Sequence, residues 1–466
     1  MTIRQKFFGD KAFYKMVLAI ALPILFQNGI TNFVNLLDNI MVGRLGTDAV
    51  SAVSNNSQFF FVFNITIFGG VSGASIFGAQ FFGKGDTDGL RNTFRFRFMA
   101  AMLLTLLAVT LLFFFDKPLI SLYLHEGDAT GSVSDTLAQA QSYLRIMLIG
   151  FPPFALSLCY ASVLRDMGQT RVPMRASFLA VLVNLVLNYL LIFGKFDFPR
   201  LGVAGAAIAT VISRYVECTV ILLWTHGNQE VCPFIIGAYK SMRVPAALTR
   251  DIFRCGFPLL SNEILWATGT AVLSQCYSMR GLSVVAAYSI SITVTNLFNI
   301  SFISLGGCIA IIVGNLLGAG KMEEARMRDT QMVTFSILVT AAFSLIMALC
   351  APYFPLLYNT TADVRILARD IIYITALFMP AHAFTHASYF TLRSGGKTLI
   401  TFIFDSGFMW LVSIPVAYCI SRFTALPMRP MYAIVLSVEL IKCVIGVLFL
   451  KSDMWLNNLV ENTGGE

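Results

Sequence analysis

The chain has 466 residues, of which 57% are hydrophobic and only 12% are charged, and its formal net charge is +8. Soluble globular proteins carry about 25% charged residues, so this composition excludes a soluble enzyme, a secreted disulfide scaffold and a disordered chain. The basic residues stand in short segments between apolar runs and form no stripe, which argues against a nucleic-acid partner. The composition predicts an all-α membrane protein with many transmembrane helices.

Apolar runs of the length that crosses a bilayer, roughly 20 residues, recur from one end of the chain to the other. We predict twelve transmembrane helices, at about 16–40, 49–78, 98–115, 138–162, 176–194, 202–224, 255–278, 284–313, 331–350, 366–390, 399–420 and 431–450. The longest connecting segment joins the sixth and seventh of these. The predicted organisation is an N-terminal lobe at 1–225, a cytoplasmic connector at 226–254, a C-terminal lobe at 255–450 and a cytoplasmic tail at 451–466.

The distribution of Lys and Arg predicts the orientation, because short cytoplasmic loops are enriched in both residues. If the N-terminus is inside, the cytoplasmic segments hold most of the basic residues, including Lys84 and Arg91 in one loop and Lys321 and Arg326 in another. We therefore expect a multi-pass protein of the cell membrane with both termini in the cytoplasm. The lipid bilayer is then an obligatory partner, and we expect a monomer.

The two halves of the chain are copies of each other. An offset of 235 residues carries Pro23 onto Pro258, and farther along an offset of 228 carries Arg165 onto Arg393. Each copy holds six predicted spans, and an even number of spans returns the chain to the same side. The copies are therefore parallel, and repeats of this kind place a substrate cavity near the middle of the membrane.

Three motifs in chain order resemble those of the multidrug and toxic-compound extrusion (MATE) family. They are DNIMVGRLGTDAVSAV from Asp38, GVAGAAIAT from Gly202 and VGNLLGAGK from Val313. The resemblance covers the whole chain and includes the duplication. It implies two pseudo-symmetric six-helix lobes and a secondary antiporter that exports organic cations and amphiphilic drugs by alternating access. The substrates would be small-molecule drugs or metabolites, and the driving force an inward gradient of H⁺ or Na⁺, with no other cofactor.

The N-terminal half contains a candidate site for the coupling ion. Asp38 is an acid within an apolar span, where an ionisable residue is costly and commonly functional. Asn184 and Asn188 are four residues apart and so share one face of span five, and Thr210 lies in span six. Together these side chains offer the oxygen ligands that hard cations prefer, so they could hold H⁺ or Na⁺. The alternatives are an interfacial carboxylate at Asp38 and two asparagines that only pack between helices.

The resemblance supports this candidate site but also shows a departure at one position. MATE proteins of the archaeal branch have an Asp in span one, an Asn followed four residues later by an Asp in span five, and a Thr in span six. This chain has Asn188 at the position of the second acid, which leaves Asp38 as the only formal negative charge among the four residues.

The C-terminal half contains further candidates. Glu263 in span seven could contribute to cation coupling, although a hydrogen bond to Asn262 or to a neighbouring helix would explain it structurally. His382 and His386 are four apart in span ten, and histidine changes charge near physiological pH, so both a proton relay and packed neutral rings are open. Asp405 either lines the cavity or reaches the cytoplasmic edge. The remaining polar candidates for cavity lining are Gln27, Asn55 and Asn296.

Two other functions are alternatives to export. A lipid-linked oligosaccharide flippase of related architecture would need a strongly cationic cavity for pyrophosphate, and the bases within the spans are few and scattered. An intramembrane enzyme would need a nucleophile with a base, or a metal cluster, and the sequence contains no H-E-x-x-H motif or paired aspartates. The pairs Arg214–Glu217 and Glu439–Lys442, each three residues apart on one helix, are interpreted as structural.

Overall fold

The computed structural model describes residues 3–45, 47–121 and 133–461, without the side chains at 3, 4, 35, 36, 39, 40, 47–52, 55 and 133–136. In these ranges the chain is helical and contains no strand. The helices, numbered by predicted span, are α1 Lys11–Gly43, α2 Thr47–Lys84, α3 Thr87–Phe114, α4 Val133–Ile149 with Phe151–Asp166, α5 Arg171–Phe193, α6 Val203–Gly227, α7 Ala246–Ser278, α8 Leu282–Gly318, α9 Met322–Cys350, α10 Ala362–Ser394, α11 Thr398–Phe423 and α12 Met428–Lys451.

Every predicted span coincides with one of these helices, so the predicted all-α fold class is confirmed. Among the described residues, nine helices are long and apolar enough to cross a membrane, and the two pieces of α4 make a tenth. The pieces of α4 meet at Gly150 with a bend of 43°, and two prolines directly after Phe151 explain the break because they cannot donate backbone hydrogen bonds. Helix α11 contains two π-helical turns, at Ile403–Gly407 and Met409–Ser413.

The contacts divide the chain into two compact units. Unit 1 comprises Met1–Leu25, Ala79–Gly85 and Phe253–Glu466, and unit 2 comprises Phe26–Gly78 and Asp86–Ile252. These units differ from the two lobes predicted from the sequence repeat, which are continuous in sequence. The limits of the lobes therefore stay a prediction.

In unit 2, the segment after α6 is fixed to α3 by two arginines. Arg91 Nε donates to the carbonyl of Phe234 at 3.1 Å, and Arg95 Nε donates to the carbonyl of Ala238 at 2.8 Å. Phe234 and Cys232 of this segment are completely buried. Burial raises the pKa of the Cys232 thiol to about 11, so this cysteine stays protonated and unreactive at neutral pH.

In unit 1, the end of α2 crosses the end of α8 at two glycines that the repeat makes equivalent. A Cβ atom at Gly83 would collide with the carbonyl of Asn315, and one at Gly318 would collide with the carbonyl of Gln80. The Gln80 side chain also donates to the carbonyl of Ser394 at 2.9 Å. Only glycine therefore permits the backbones to approach this closely.

We predict that Gly83→Ala and Gly318→Ala each lower the free energy of unfolding, because the added methyl group meets backbone that cannot move aside. Overpacking of this kind costs about 1–3 kcal/mol. The measurement is the thermal midpoint of the purified protein in detergent. Gly307→Ala in α8 is the matched control, since no atom lies within 4 Å of its added Cβ. Midpoints for the first two variants equal to that of the control would contradict the close crossing.

Candidate functional site

Unit 2 encloses a cavity of about 640 Å³ between α1, α2, α4, α5 and α6. This volume falls within the range of about 300–1,000 Å³ that is typical of small-molecule sites. Four of the residues selected from the sequence line it: Gln27, Asp38, Asn184 and Thr210. The cavity therefore places the predicted ion-binding residues and a space for a ligand in the same unit.

The four residues predicted to bind the coupling ion lie together at this cavity. Asn188 Nδ2 donates to Asp38 Oδ1 at 2.6 Å and to Asn184 Oδ1 at 3.1 Å. Asn184 Nδ2 in turn donates to Thr210 Oγ1 at 3.4 Å. Both asparagines are almost fully buried, whereas Asp38 is half-buried. A continuous hydrogen-bonded chain thus joins α1, α5 and α6, and we call it the Asp38 group.

The Asp38 group is suited to taking up a small cation. An ionised carboxylate only accepts hydrogen bonds, so the contact with Asp38 requires Asn188 to present its NH₂ group. The Oδ1 atom of Asn188 is buried and has no hydrogen-bond partner among the described residues. Protonation of Asp38 would make the carboxyl group a donor, and rotation of the amide would then satisfy Oδ1. An Na⁺ ion could use the same oxygens, so the arrangement suits either ion.

A second polar group, which we call the Glu217 group, lies on the wall of the same cavity. Gln27 Nε2 donates to Ser177 Oγ at 2.8 Å, and Ser177 Oγ donates to Glu217 Oε1 at 2.5 Å. Arg214 Nη1 donates to Glu217 Oε2 at 3.2 Å. The structure therefore contains the predicted Arg214–Glu217 pair, and it also shows that this pair faces the cavity. The sequence does not indicate the role of Ser177, because its contacts depend on the axial register between neighbouring helices.

The two polar groups occupy separate levels of the cavity. On α1, Gln27 precedes Asp38 by eleven residues, and on α5, Ser177 precedes Asn188 by the same number. At a rise of 1.5 Å per residue, the two levels are about 16 Å apart along α1 and α5, and about 10 Å apart along α6, where Glu217 follows Thr210 by seven residues. A drug-sized molecule could therefore approach both groups.

Aromatic rings form much of the wall between these levels. Phe60 and Phe154 lie with their ring centroids 5.1 Å apart, and Phe151 stacks on Phe63 at 4.1 Å. The guanidinium group of Arg214 lies over the ring of Phe154 at 5.0 Å. Rings arranged in this way offer flat apolar surfaces to a ligand.

In unit 1, the structure places the C-terminal acids in a different network. Asp405 accepts hydrogen bonds from Lys442 Nζ at 3.0 Å and from Asn262 Nδ2 at 3.2 Å. Lys442 also lies 3.3 Å from Glu439, so the predicted Glu439–Lys442 pair is present. Glu263 makes no hydrogen bond within the described part of the chain, and the alternative of a bond to Asn262 is not observed.

The other candidates do not join one site. His386 packs against the rings of Phe302 and Phe390, with centroids 5.2 and 5.0 Å away, and its Nδ1 has no partner among the described residues. Across the described ranges, no hydrogen bond links His386 or His382 to Glu263. Asn296 is exposed on α8 and lines neither described cavity, and the side chain of Asn55 lies outside the described residues.

The repeat distinguishes the two polar groups of unit 2. Asp38 corresponds to Leu273 by the offset of 235, and Thr210 corresponds to Val435 by the offset of 225 between the starts of α6 and α12. The Asp38 group is therefore confined to the first copy. The Glu217 group has a hydrogen-bonded counterpart in the second copy: Gln27, Ser177 and Glu217 correspond to Asn262, Asp405 and Lys442.

A bundle of membrane-length helices around a ligand-sized cavity with a buried acid defines a membrane transport protein. The MatE family model matches residues 23–190 and 258–419, so the chain belongs to the MATE family. The two matches begin 235 residues apart, which is the offset found in the sequence. Membership in a family of transporters also confirms that the protein is not an enzyme.

Relatives and solved structures agree over nearly the whole chain. The probable multidrug resistance protein NorM of Thermotoga maritima is 26% identical over 95% of this chain and 93% of its own length. The probable multidrug resistance protein YoeA of Bacillus subtilis is 24% identical, covering 87% and 86%. An outward-facing MATE family transporter has a TM-score of 0.86 at 18% identity, covering 97% and 98%, and the Vibrio cholerae transporter VcmN has 0.85 at 17%, covering 96% and 98%. The structural matches confirm the predicted MATE-like fold.

Proposed function

We propose that the protein is a secondary active multidrug exporter. It moves organic cations and other amphiphilic compounds out of the cell by antiport against an inward gradient of H⁺ or Na⁺. The observation that carries this proposal is the hydrogen bond from Asn188 to Asp38 beside a ligand-sized cavity, because an acid there could hold an ion next to the space that a drug would occupy. The names of the relatives, several of which are multidrug resistance proteins, support the same substrate class.

Coupling follows from the charge of Asp38. An ionised Asp38 attracts a cationic substrate, whereas an Asp38 that holds H⁺ or Na⁺ does not, so ion and substrate compete for one cavity. Binding of either ligand shifts a conformational equilibrium only if its affinity differs between the two states. We propose that the ion favours one state and the substrate the other, which produces alternating access.

The charges of the cavity favour export of amphiphiles over the flippase alternative. Its lining includes the acids Asp38 and Glu217 as well as the bases Arg165 and Arg214. Two acids and two bases give the lining no formal net charge, so the cavity lacks the strongly cationic surface that a pyrophosphate group, with its several negative charges, would need. We further propose that the protein acts as a monomer in the cell membrane, with both termini in the cytoplasm.

The test is transport by the purified protein in proteoliposomes, with a pH gradient and an Na⁺ gradient imposed separately. The substrate is the cationic dye ethidium, and protein-free liposomes are the control. We expect one of the gradients to drive uphill movement of the dye, and the matching ionophore to abolish it. A rate of dye movement that is the same with and without either gradient would contradict antiport.

Glu263 supplies a prediction for the second copy. We expect Glu263→Gln to lower the initial rate of gradient-driven export about two- to fivefold while the yield of folded protein is unchanged. Glu263 is half-buried in α7 and within electrostatic range of the buried Arg393, and removal of its charge alters the field around that arginine. Glu323→Gln on the exposed start of α9 is the matched control. Equal export rates for Glu263→Gln and Glu323→Gln would show that the charge of Glu263 does not contribute to transport.

A further inference from the structure

The cavity of unit 2 ends at an arginine that the proposed mechanism does not use. One face of α4 lines the cavity from its bend to its last turn: Phe151, Phe154, Ser157, Leu158, Ala161 and Arg165. Arg165 is the last of these residues, and its side chain is partly buried. It therefore lies at the end of an aromatic and apolar wall.

Arg165 has no counter-charge of its own. Within the described residues its guanidinium group makes no hydrogen bond or ion pair, and its Nε atom is buried without a partner. The two nearby acids are already engaged: Asp166 binds Arg97 at 2.5 Å, and Glu217 binds Arg214 at 3.2 Å. These three arginines and two acids leave a surplus positive charge at this end of the cavity.

Comparison of the two copies shows that Arg165 lacks an acid which its counterpart in the second copy has nearby. Arg165 corresponds to Arg393 in the second copy by the offset of 228, and Arg393 is within electrostatic range of Glu263. By the offset of 235, the position of Glu263 is occupied in the first copy by Asn28, which lines the cavity. The first copy thus keeps the arginine but has an uncharged amide in place of the acid.

An arginine held away from water without an acid is costly, and a bound anion would reduce that cost. The planar guanidinium group is well matched to a carboxylate, which it can bind with two parallel hydrogen bonds. The rings of Phe154 and Phe60 line the same cavity, with Phe154 about three helical turns before Arg165, and they would pack against an aromatic body that extends from the carboxylate along this wall. We propose that Arg165 is a specificity-determining residue that binds the carboxylate of an aromatic amphiphile. This inference rests on the proposed function and assigns one residue of the same cavity to one chemical group of the substrate.

A matched pair of dyes tests the inference. Rhodamine 110 carries a free carboxylate, and rhodamine 123 is its methyl ester, so the pair differs at the group that Arg165 would bind. The measurement is dye affinity for the purified, detergent-solubilised protein by fluorescence anisotropy, without any ion gradient. We expect Arg165→Gln to weaken binding of rhodamine 110 about tenfold, the effect of losing a charge-assisted hydrogen bond. Binding of rhodamine 123 should change by less than about twofold, and Arg165→Lys should restore part of the loss.

The ester dye also reports whether each variant is folded. Arg171→Gln, an exposed arginine at the start of α5 that does not line the cavity, is the control for the loss of one positive charge. Equal effects of Arg165→Gln on both dyes, or no effect on either, would overturn the inference and leave the proposed function standing. In that case the charge of Arg165 would only stabilise the helix dipole of α4, because the residue lies in the last turn of that helix. Failure of the wild-type protein to bind either dye would contradict the proposed function and the inference together.

Discussion

Replacing Asp38 by Asn should abolish export driven by an imposed ion gradient, while the protein still folds and inserts. The substitution keeps the shape of the side chain and removes the one formal charge of the Asp38 group. Its amide can still contact Asn188, which lies 2.6 Å from the carboxylate. We expect the initial rate of gradient-driven dye transport in proteoliposomes to fall at least tenfold. Binding of neutral amphiphiles should persist, since the aromatic wall is unchanged.

Asn188→Ala is the matched variant for this experiment. It removes the hydrogen bond to Asp38 but keeps the charge, so we expect a loss of only about two- to fivefold, in line with one hydrogen bond. The informative result is therefore that Asp38→Asn loses more of the transport rate than Asn188→Ala. If Asp38→Asn responded to both ions like the wild-type protein, coupling would have to lie elsewhere, with Glu263 as the next candidate.

Replacing Arg97 by Met should have the largest effect on stability. Arg97 is fully buried between α2, α3 and α4, where it donates to Asp166 at 2.5 Å, to Ser162 Oγ at 2.8 Å and to the carbonyl of Ala74 at 2.8 Å. Removing one partner of a buried ion pair leaves the other charge uncompensated, which costs about 3–5 kcal/mol. We expect a sharply lower thermal midpoint in detergent and little monodisperse protein after purification.

A second substitution separates charge from packing at this pair. In the double variant with Arg97→Met and Asp166→Leu no charge is left unpaired, so we expect much of the lost stability to return. Arg171→Met is the control, because Arg171 is exposed at the start of α5. A double variant no more stable than Arg97→Met alone would show that the loss comes from packing.

The sequence predicts the Asp38 group from spacing and the family resemblance together. Asn184 and Asn188 share a helical face by their spacing, and the resemblance implies that Asp38 and Thr210 belong with them. The transmembrane spans are predicted from local sequence alone, since each needs only about 20 apolar residues. Spacing does not say which helices are neighbours, so the grouping of spans one, five and six rests on the resemblance.

The Glu217 group could not be predicted in the same way. Its partners Ser177 and Gln27 lie on two other helices, and their contact depends on axial register, which hydropathy does not encode. Arg165 stands near the end of a span, where the sequence alone favours a cytoplasmic loop charge, although its side chain lines the cavity. A systematic comparison of the two copies would have identified both positions, because their counterparts Asp405 and Arg393 are charged.

The most direct test of ion coupling at Asp38 is linkage between dye and ion in the absence of any gradient. Ethidium is titrated into weakly buffered, detergent-solubilised protein, and proton release is recorded together with the dye affinity at several Na⁺ concentrations. Linkage is reciprocal, so an ion that competes with the dye must be displaced by it. We expect the wild-type protein to release protons or to show a dye affinity that falls with Na⁺ concentration, and Asp38→Asn to do neither. The same release and the same Na⁺ dependence in Asp38→Asn would contradict ion coupling at Asp38.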